Sequence, residues 1–320
     1  MKNLDKYFAK AMFICIFALL MVKSGEALLY KELNLIGGRS DKKGWIDESL
    51  MLKNSIGAEY FRKFSNEYGD YMTVNLQTRL IYDPSENDWG LEVHNAWLEY
   101  NIRLGNKLRI GHFDPFYGLE PLLDTHGTIL QTIAHKNIGF KSDWGVGFRS
   151  FFRNFDYETA LQLGSGMGIK SEGNFLFTQR IGNTQRNNPV YGISILFGKV
   201  LIDEGMHRNT SDMNTTQILK RRIGLDSQYQ IRSLLLKSEL DYGKNGNDNV
   251  YGLFLEVDYP IFQALESQIQ WQTWNENTKE NVLSLGLAYK IIPELTFRTA
   301  YVHNFNNERQ IIMQIYFYGR

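Results

Sequence analysis

The chain has one cysteine in 320 residues, Cys15, and it lies within the first two dozen. Beyond that point there is no disulfide, no thiolate zinc site and no attached c-type haem. Histidine is scarce as well. His94, His112, His126, His135, His207 and His303 show no H-x-H or H-x-x-x-H spacing, so no metal centre is expected. Charge of one sign is lacking: 35 Lys and Arg stand against 35 Asp and Glu. A nucleic-acid binder would carry a basic excess. There is no G-x-S-x-G, no P-loop and no Ser, His and Asn constellation of a barrel-wall lipase. The expectation is therefore no enzyme and no cofactor. Asp203, Glu204, His207 and Asp212 crowd one stretch, which solvated loop residues explain better than a cation site does. After residue 27 no apolar run approaches the roughly twenty residues of a membrane helix.

The N-terminus has the make-up of an export signal. Lys2, Lys6 and Lys10 precede twelve apolar residues, Ala11 to Val22, too short for a spanning helix. Gly25 and Ala27 suit the positions before a cut, placed after Ala27; an uncleaved anchor is the alternative. Cys15 lies inside the apolar run, not at its end, which speaks against lipidation. Removing residues 1–27 leaves 31 basic and 33 acidic residues, a charge of about −2.

What the rest of the chain has is alternation. Met72, Val74, Leu76, Leu80 and Tyr82 share one face, with Thr73, Asn75, Gln77 and Arg79 on the other. Leu234, Leu236, Leu240 and Tyr242 oppose Lys237, Glu239 and Asp241. Tyr251, Leu253, Leu255, Val257 and Tyr259 oppose Glu256 and Asp258. Ile311, Met313, Ile315 and Phe317 oppose Gln310 and Gln314. These are period-2 strands, and they are longer than ordinary ones. Many end in aromatics: Tyr82, Tyr242, Tyr251, Tyr259, Trp274, Tyr289 and Tyr301. An apolar band with aromatic ends and a polar alternate face predicts an all-β transmembrane antiparallel barrel. The competing architecture is a soluble sandwich or lipocalin-like barrel, with the apolar face inward and shorter strands.

The segments read as strands are 28–36, 48–57, 71–83, 89–102, 107–112, 138–151, 155–164, 174–181, 190–199, 217–228, 232–243, 249–259, 264–275, 282–290, 295–304 and 309–318. That makes sixteen, with fourteen as the alternative count. With the N-terminus in the periplasm, connections 103–106, 152–154, 229–231, 260–263 and 291–294 fall on the short, periplasmic side. Connections 37–47, 165–173 and 200–216 fall on the long, outward side. Segment 58–70 is long on the short side and breaks the pattern.

Alternation stops between Gly111 and Asn137. Pro115 and Pro121 cannot donate to a ladder, yet Phe113, Phe116, Tyr117, Leu119, Leu122, Leu123, Ile129, Leu130 and Ile133 are too apolar for disorder. A long apolar unpaired segment packs inside something. The expectation is a barrel over 28–320 whose third outward loop, 113–137, folds into it.

Asn95-Ala96-Trp97-Leu98-Glu99-Tyr100, followed by Leu108-Arg109-Ile110-Gly111-His112-Phe113-Asp114-Pro115-Phe116-Tyr117-Gly118-Leu119-Glu120, resembles the phosphate-selective porin O/P family of outer-membrane channels. Asn137-Ile138-Gly139-Phe140 and the stretch Tyr157 to Gly164 resemble that family's next hairpin. The likeness covers about residues 90–185. It implies a sixteen-stranded trimeric barrel of a Gram-negative outer membrane, with the third loop in the pore. Here Pro115 stands one place earlier than in the family pattern, Asp114 precedes it, and the chain ends on Gly319-Arg320 instead of an aromatic. The chain also lacks the overall basic excess such anion channels use.

Alternation predicts that Arg79, Arg149, Lys220, Arg222, Lys237 and Arg298 face the lumen with Glu239, Asp241, Glu256 and Asp258. Asp114, Glu120, Asp124 and His126 are the constriction-loop candidates, with His135 and Lys136 beside them. The expected function is passive diffusion of small hydrophilic solutes or ions by a homotrimer in outer-membrane lipid, with no nucleic-acid partner. The alternative is a scaffold barrel that sheathes or anchors a partner protein.

Overall fold

The computed structural model describes residues 27–46, 48–49, 52–83, 88–103, 105–123, 127–183, 188–202, 216–306 and 308–320. The signal segment falls outside these, except for Ala27, and so do Asp124, His126 and the 203–215 stretch. Sixteen long strands follow one another: β1 Ala27–Ser40, β2 Ser55–Asn66, β3 Gly69–Asp83, β4 Asp88–Arg103, β5 Asn106–Phe113, β6 Asp143–Phe151, β7 Phe155–Gln162, β8 Phe175–Asn183, β9 Val190–Ile202, β10 Thr216–Ile231, β11 Leu234–Asn245, β12 Asp248–Phe262, β13 Leu265–Asn275, β14 Lys279–Ile292, β15 Leu295–Asn304 and β16 Glu308–Gly319.

Each strand pairs antiparallel with its chain neighbours. Leu33 of β1 lies opposite both Ile56 of β2 and Phe317 of β16, so the sheet closes. A three-residue strand, Gly44–Ile46, turns back onto β1 as a seventeenth member, and Glu48–Ser49 pairs with Leu52–Lys53. Closure leaves no open backbone edge, the condition for a sheet in lipid. Among the described residues no helix is long and apolar enough to cross a membrane.

The side chains are arranged inside out relative to a soluble barrel. Outward Leu91, Leu161, Leu225, Leu240, Ile269 and Met313 are 50–59% exposed. Inward Glu32, Gln77, Arg79, Glu158, Arg180, Asp241, Glu256 and Gln314 are at most 5% exposed. Such an apolar exterior is unfavourable in water and favourable in lipid, which excludes the soluble alternative. Leu240 stands mid-strand opposite Leu225 and Leu253. Leu240→Arg is expected to cost about 2–4 kcal/mol of folding free energy into lipid vesicles, measured by denaturant titration. Tyr242, Tyr251, Tyr259, Tyr289 and Tyr301 are exposed on the outer face at strand ends, as girdles require. Trp274 is the exception. It shares the inward parity of Gln270 and Gln272, is 5% exposed, and has the Arg222 guanidinium 5.8 Å from its ring centroid.

At one end the turns are short: Glu67–Tyr68, Arg232–Ser233, Gln263–Ala264 and Pro293–Glu294 have two residues each. At the other end, connections 41–54, 114–142, 163–174 and 203–215 are long, so that end faces outward.

Two strands depart most from the sequence reading. The second strand is Ser55–Asn66, not 48–57, so the long connection 58–70 does not exist. Charges hid its lower half: the Arg62 guanidinium lies 4.5 Å from the Phe64 ring centroid, and Lys63 pairs with Asp70 at 3.4 Å near the turn. β6 starts at Asp143, not 138. Ile138 and Phe140 mimic strand alternation, but they pack inside the barrel with Tyr117, Leu176, Leu196 and Val200. The third outward loop therefore spans 114–142.

Candidate functional site

The third loop begins and ends at one point of the wall, because Phe113 of β5 lies opposite Asp143 of β6. Among the described residues between them, the chain makes a short 3-10 turn, Glu120–Leu122, and one helical turn, Ala134–Asn137. Its apolar residues find partners inside the barrel. Ile129 and Leu130 pack with Ile36, Ala300 and Ile312 of β1, β15 and β16. Phe116 packs with Phe113 and Ala160, and Leu119 and Ile133 pack with Phe254. All four buried apolar clusters among the described residues contain this loop. The loop is the core of the barrel.

Inward polar groups of β8 to β14 then fix the loop's backbone. Phe116 N–H donates to Thr178 Oγ1 at 3.1 Å, and Gly118 N–H donates to Ser194 Oγ at 3.1 Å. Leu119 N–H donates to Glu239 Oε2 at 2.7 Å. Tyr117 OH donates to Asp241 Oδ1 at 2.7 Å. Asn137 Nδ2 donates to Asp241 Oδ2 at 2.8 Å and to Glu239 Oε1 at 3.2 Å. Glu239 and Asp241 thus form a latch that grips the loop at two places. Lys220 Nζ donates to the Ile138 carbonyl at 2.8 Å, and Gln272 Nε2 donates to the Gln131 carbonyl at 2.7 Å. Lys136 pairs with Glu280.

Glycine makes the contact close enough. Gly118 has φ +63°, and a Cβ there would stand 2.4 Å from Glu239 Oε1. A Cβ on Gly224 of β10 would lie 2.9 Å from the Tyr117 hydroxyl. Burial, with the Asp241 carboxylate beside it, raises the Tyr117 hydroxyl well above its ordinary pKa, so it stays a donor.

Two of the loop's carboxylates, Asp114 and Glu120, have partners within the loop itself. Ser142 Oγ donates to Asp114 Oδ1 at 2.5 Å. Glu120 is 5% exposed, accepts from Thr132 Oγ1 at 2.5 Å and has Lys141 Nζ at 3.7 Å. His135 Nδ1 lies 3.0 Å from the Thr132 carbonyl. Burial, then the Lys136 ammonium, pushes its pKa down to about 4, so the ring is neutral at neutral pH.

The wall candidates all sit at inward parity. Arg79 grips Glu32 through Nε at 3.0 Å and a terminal nitrogen at 2.7 Å. Arg149 pairs with Glu158 at 2.6 Å and Glu99 at 3.6 Å. Lys237 bridges Glu256 at 2.7 Å and Asp258 at 2.6 Å. Arg222 donates to the Lys244 carbonyl at 2.6 Å and Asn245 Oδ1 at 2.5 Å. Arg298 lies against Gln314 at 3.3 Å, with its guanidinium 5.2 Å from the Tyr316 ring centroid.

Sequence reasoning overlooked several members of this wall. Arg180 and Asp226 form a two-pronged pair, 1% and 0% exposed at the side chain. Arg109 pairs with Glu99 at 2.6 Å. Glu59 accepts from Asn75 and, at 2.5 Å, from Tyr318. Parity with their strand neighbours was the available signal. The wall is thus polar, mixed in sign and internally paired. It can offer passing ions local charge alternation, and it holds no free nucleophile–base constellation among the residues described above.

No protein-family model matches the chain, and no curated protein matches it in sequence. Solved structures do match in fold. OmpT of Vibrio cholerae, in a trimer form, gives a TM-score of 0.68 at 10% identity, covering 92% of this chain and 100% of that one. The anion-selective porin from Comamonas acidovorans gives 0.66 at 10% identity, covering 92% and 99%. The outer membrane channel DcaP of Acinetobacter baumannii gives 0.61 at 11% identity, covering 92% and 97%. The likeness is one of architecture: this chain has the closed sixteen-strand antiparallel fold of a Gram-negative outer-membrane β-barrel.

Proposed function

We propose that the chain is an outer-membrane porin, a passive diffusion channel for small hydrophilic solutes or ions, exported by the signal segment 1–27 and assembled as a homotrimer. One observation carries the reading: a polar, ion-paired inner wall inside a lipid-facing barrel, narrowed by a loop latched across the interior. Conduction needs a wetted path with charges that bind weakly at several places, and no covalent chemistry. The loop narrows that path by packing against the inner wall, which favours ions and small solutes. The trimer is supported by the trimer form of the similar OmpT.

The phosphate preference implied by the family resemblance rests on that resemblance alone. Arg79, Arg149 and Lys237 are each engaged by a carboxylate, so they offer no free cationic track. A sheath for a partner protein is disfavoured because the barrel's own loop occupies the interior.

Reversal potential in a planar bilayer under a salt gradient tests the loop's role in selectivity. Replacing Asp114, Glu120 and Asp124 with Asn, Gln and Asn is expected to shift it toward anions. An unchanged value removes the loop from selectivity and leaves the wall. If the purified protein gives no conductance at all, the channel reading falls.

A further inference from the structure

The outer face carries a cationic cluster that the lumen chemistry does not use. On β9, β10 and β11, near their outward ends, Lys199, Arg221 and Lys244 point away from the barrel axis and are exposed. Arg221 lies directly opposite Phe197 on one side and Lys244 on the other. Lys199 stands two residues further along β9, opposite Leu219 and Phe175. One row toward the membrane centre, Ile195, Ile223, Tyr242 and Tyr251 face one another across four strands. The cations therefore sit just above an aromatic girdle.

That arrangement is uncomfortable on its own. Directly opposed residues of neighbouring strands bring their Cβ atoms within about 5 Å, where like charges repel. Among the described residues none of the three cations has a carboxylate partner, and Arg221 has only the Phe197 ring, 6.0 Å away. On the inner wall, Arg79, Arg109, Arg149, Arg180 and Lys237 all do. An opposed pair of cations at the lipid boundary calls for an anion from outside the chain.

We propose that Lys199, Arg221 and Lys244 form a site for a glycolipid of the outer leaflet that bears more than one phosphate, of the lipid A kind. Its phosphates lie among the three cations, and its acyl chains run down the Phe197, Ile195, Ile223 and Tyr242 surface. Strand spacing and rise put the Cα atoms of Lys199 and Lys244 about 12 Å apart, a separation that suits two phosphates on one saccharide head better than a single phosphate. The site rests on the barrel and its orientation, not on conduction, so conductance of the same preparation reports separately on the channel reading.

The test uses refolded full-length protein in micelles, titrated with purified bisphosphorylated lipid A and read by native mass spectrometry. Lys199→Gln, Arg221→Gln and Lys244→Gln combined are expected to weaken binding about a hundredfold, each cation near a lipid surface supplying roughly a factor of five. Lys279→Gln, on another strand of the same rim, should leave it unchanged. Dephosphorylated lipid A and phosphatidylglycerol should bind wild type as weakly as lipid A binds the triple variant, and inorganic phosphate should not compete. Equal binding of the triple variant, equal binding of dephosphorylated lipid A, or displacement by inorganic phosphate each overturns the site. So does a marked gain in binding on neutralising Asp203, Glu204 and Asp212, which would make that loop's carboxylates the native counter-ions. Heat-modifiable gel migration confirms that each variant folds.

Discussion

Replacing residues 115–141 with a short Gly-Ser linker is expected to raise single-channel conductance several-fold. The splice is geometrically mild: Phe113 and Asp143 are already cross-strand partners, and Asp114 and Ser142 already touch. The barrel survives because its ladder closes through β1 and β16 without help from the loop. The interior does not survive unchanged. Leu176, Leu196, Val200 and Phe254 lose the loop's apolar side chains, and Glu239 and Asp241 lose three donors from the loop. Water then enters the space those groups filled. Heat-modifiable migration separates a folded wide barrel from a failed one. A second variant, Glu239→Ala with Asp241→Ala, keeps the loop's mass but removes its latch. It should give a smaller rise and a noisier open state, because the loop loses the acceptors of its buried hydrogen bonds to β11, each contributing about 0.5–1.5 kcal/mol. Unchanged conductance in the folded deletion variant would show that the narrowest part of the path lies elsewhere.

How much of this was legible depended on the range of the interaction. Strand parity is local, so β11, β12 and β16 could be read from their own residues, and the inward placement of Arg79, Lys237 and Arg298 followed. Where local chemistry misled, it did so through mimicry. The lower half of β2, with Arg62 and Lys63, looks like part of a loop over 58–70, and Ile138 and Phe140 look like a strand. Trp274 read as girdle by type, although its spacing from Gln270 and Gln272 placed it inside. The latch was out of reach because it depends on closure: Tyr117 and Asp241 are 124 positions apart. That the loop needed a container was visible in its composition. Which two carboxylates would hold it was not.

The Arg180–Asp226 pair has the same origin and the largest expected effect on stability. Its partners lie on β8 and β10, separated by β9, and meet only because Gly192 of β9 leaves room between them. A Cβ there would stand 2.5 Å from a terminal nitrogen of Arg180. The guanidinium binds both carboxylate oxygens, at 3.0 and 2.6 Å, in a site closed to solvent. Arg180→Ala leaves Asp226 charged, desolvated and without the two guanidinium donors that hold it. The expected loss is about 3–5 kcal/mol, read as a lower denaturant midpoint for refolding into vesicles. Removing both charges is a different experiment. Arg180→Leu with Asp226→Leu no longer strands an ion and is expected to recover most of that loss, because a buried pair offers little over an apolar replacement of similar volume. The two single variants and the double form a cycle whose coupling measures the pair directly. A double variant as unstable as Arg180→Ala would mean that the cost lies in repacking around Gly192, not in the stranded charge.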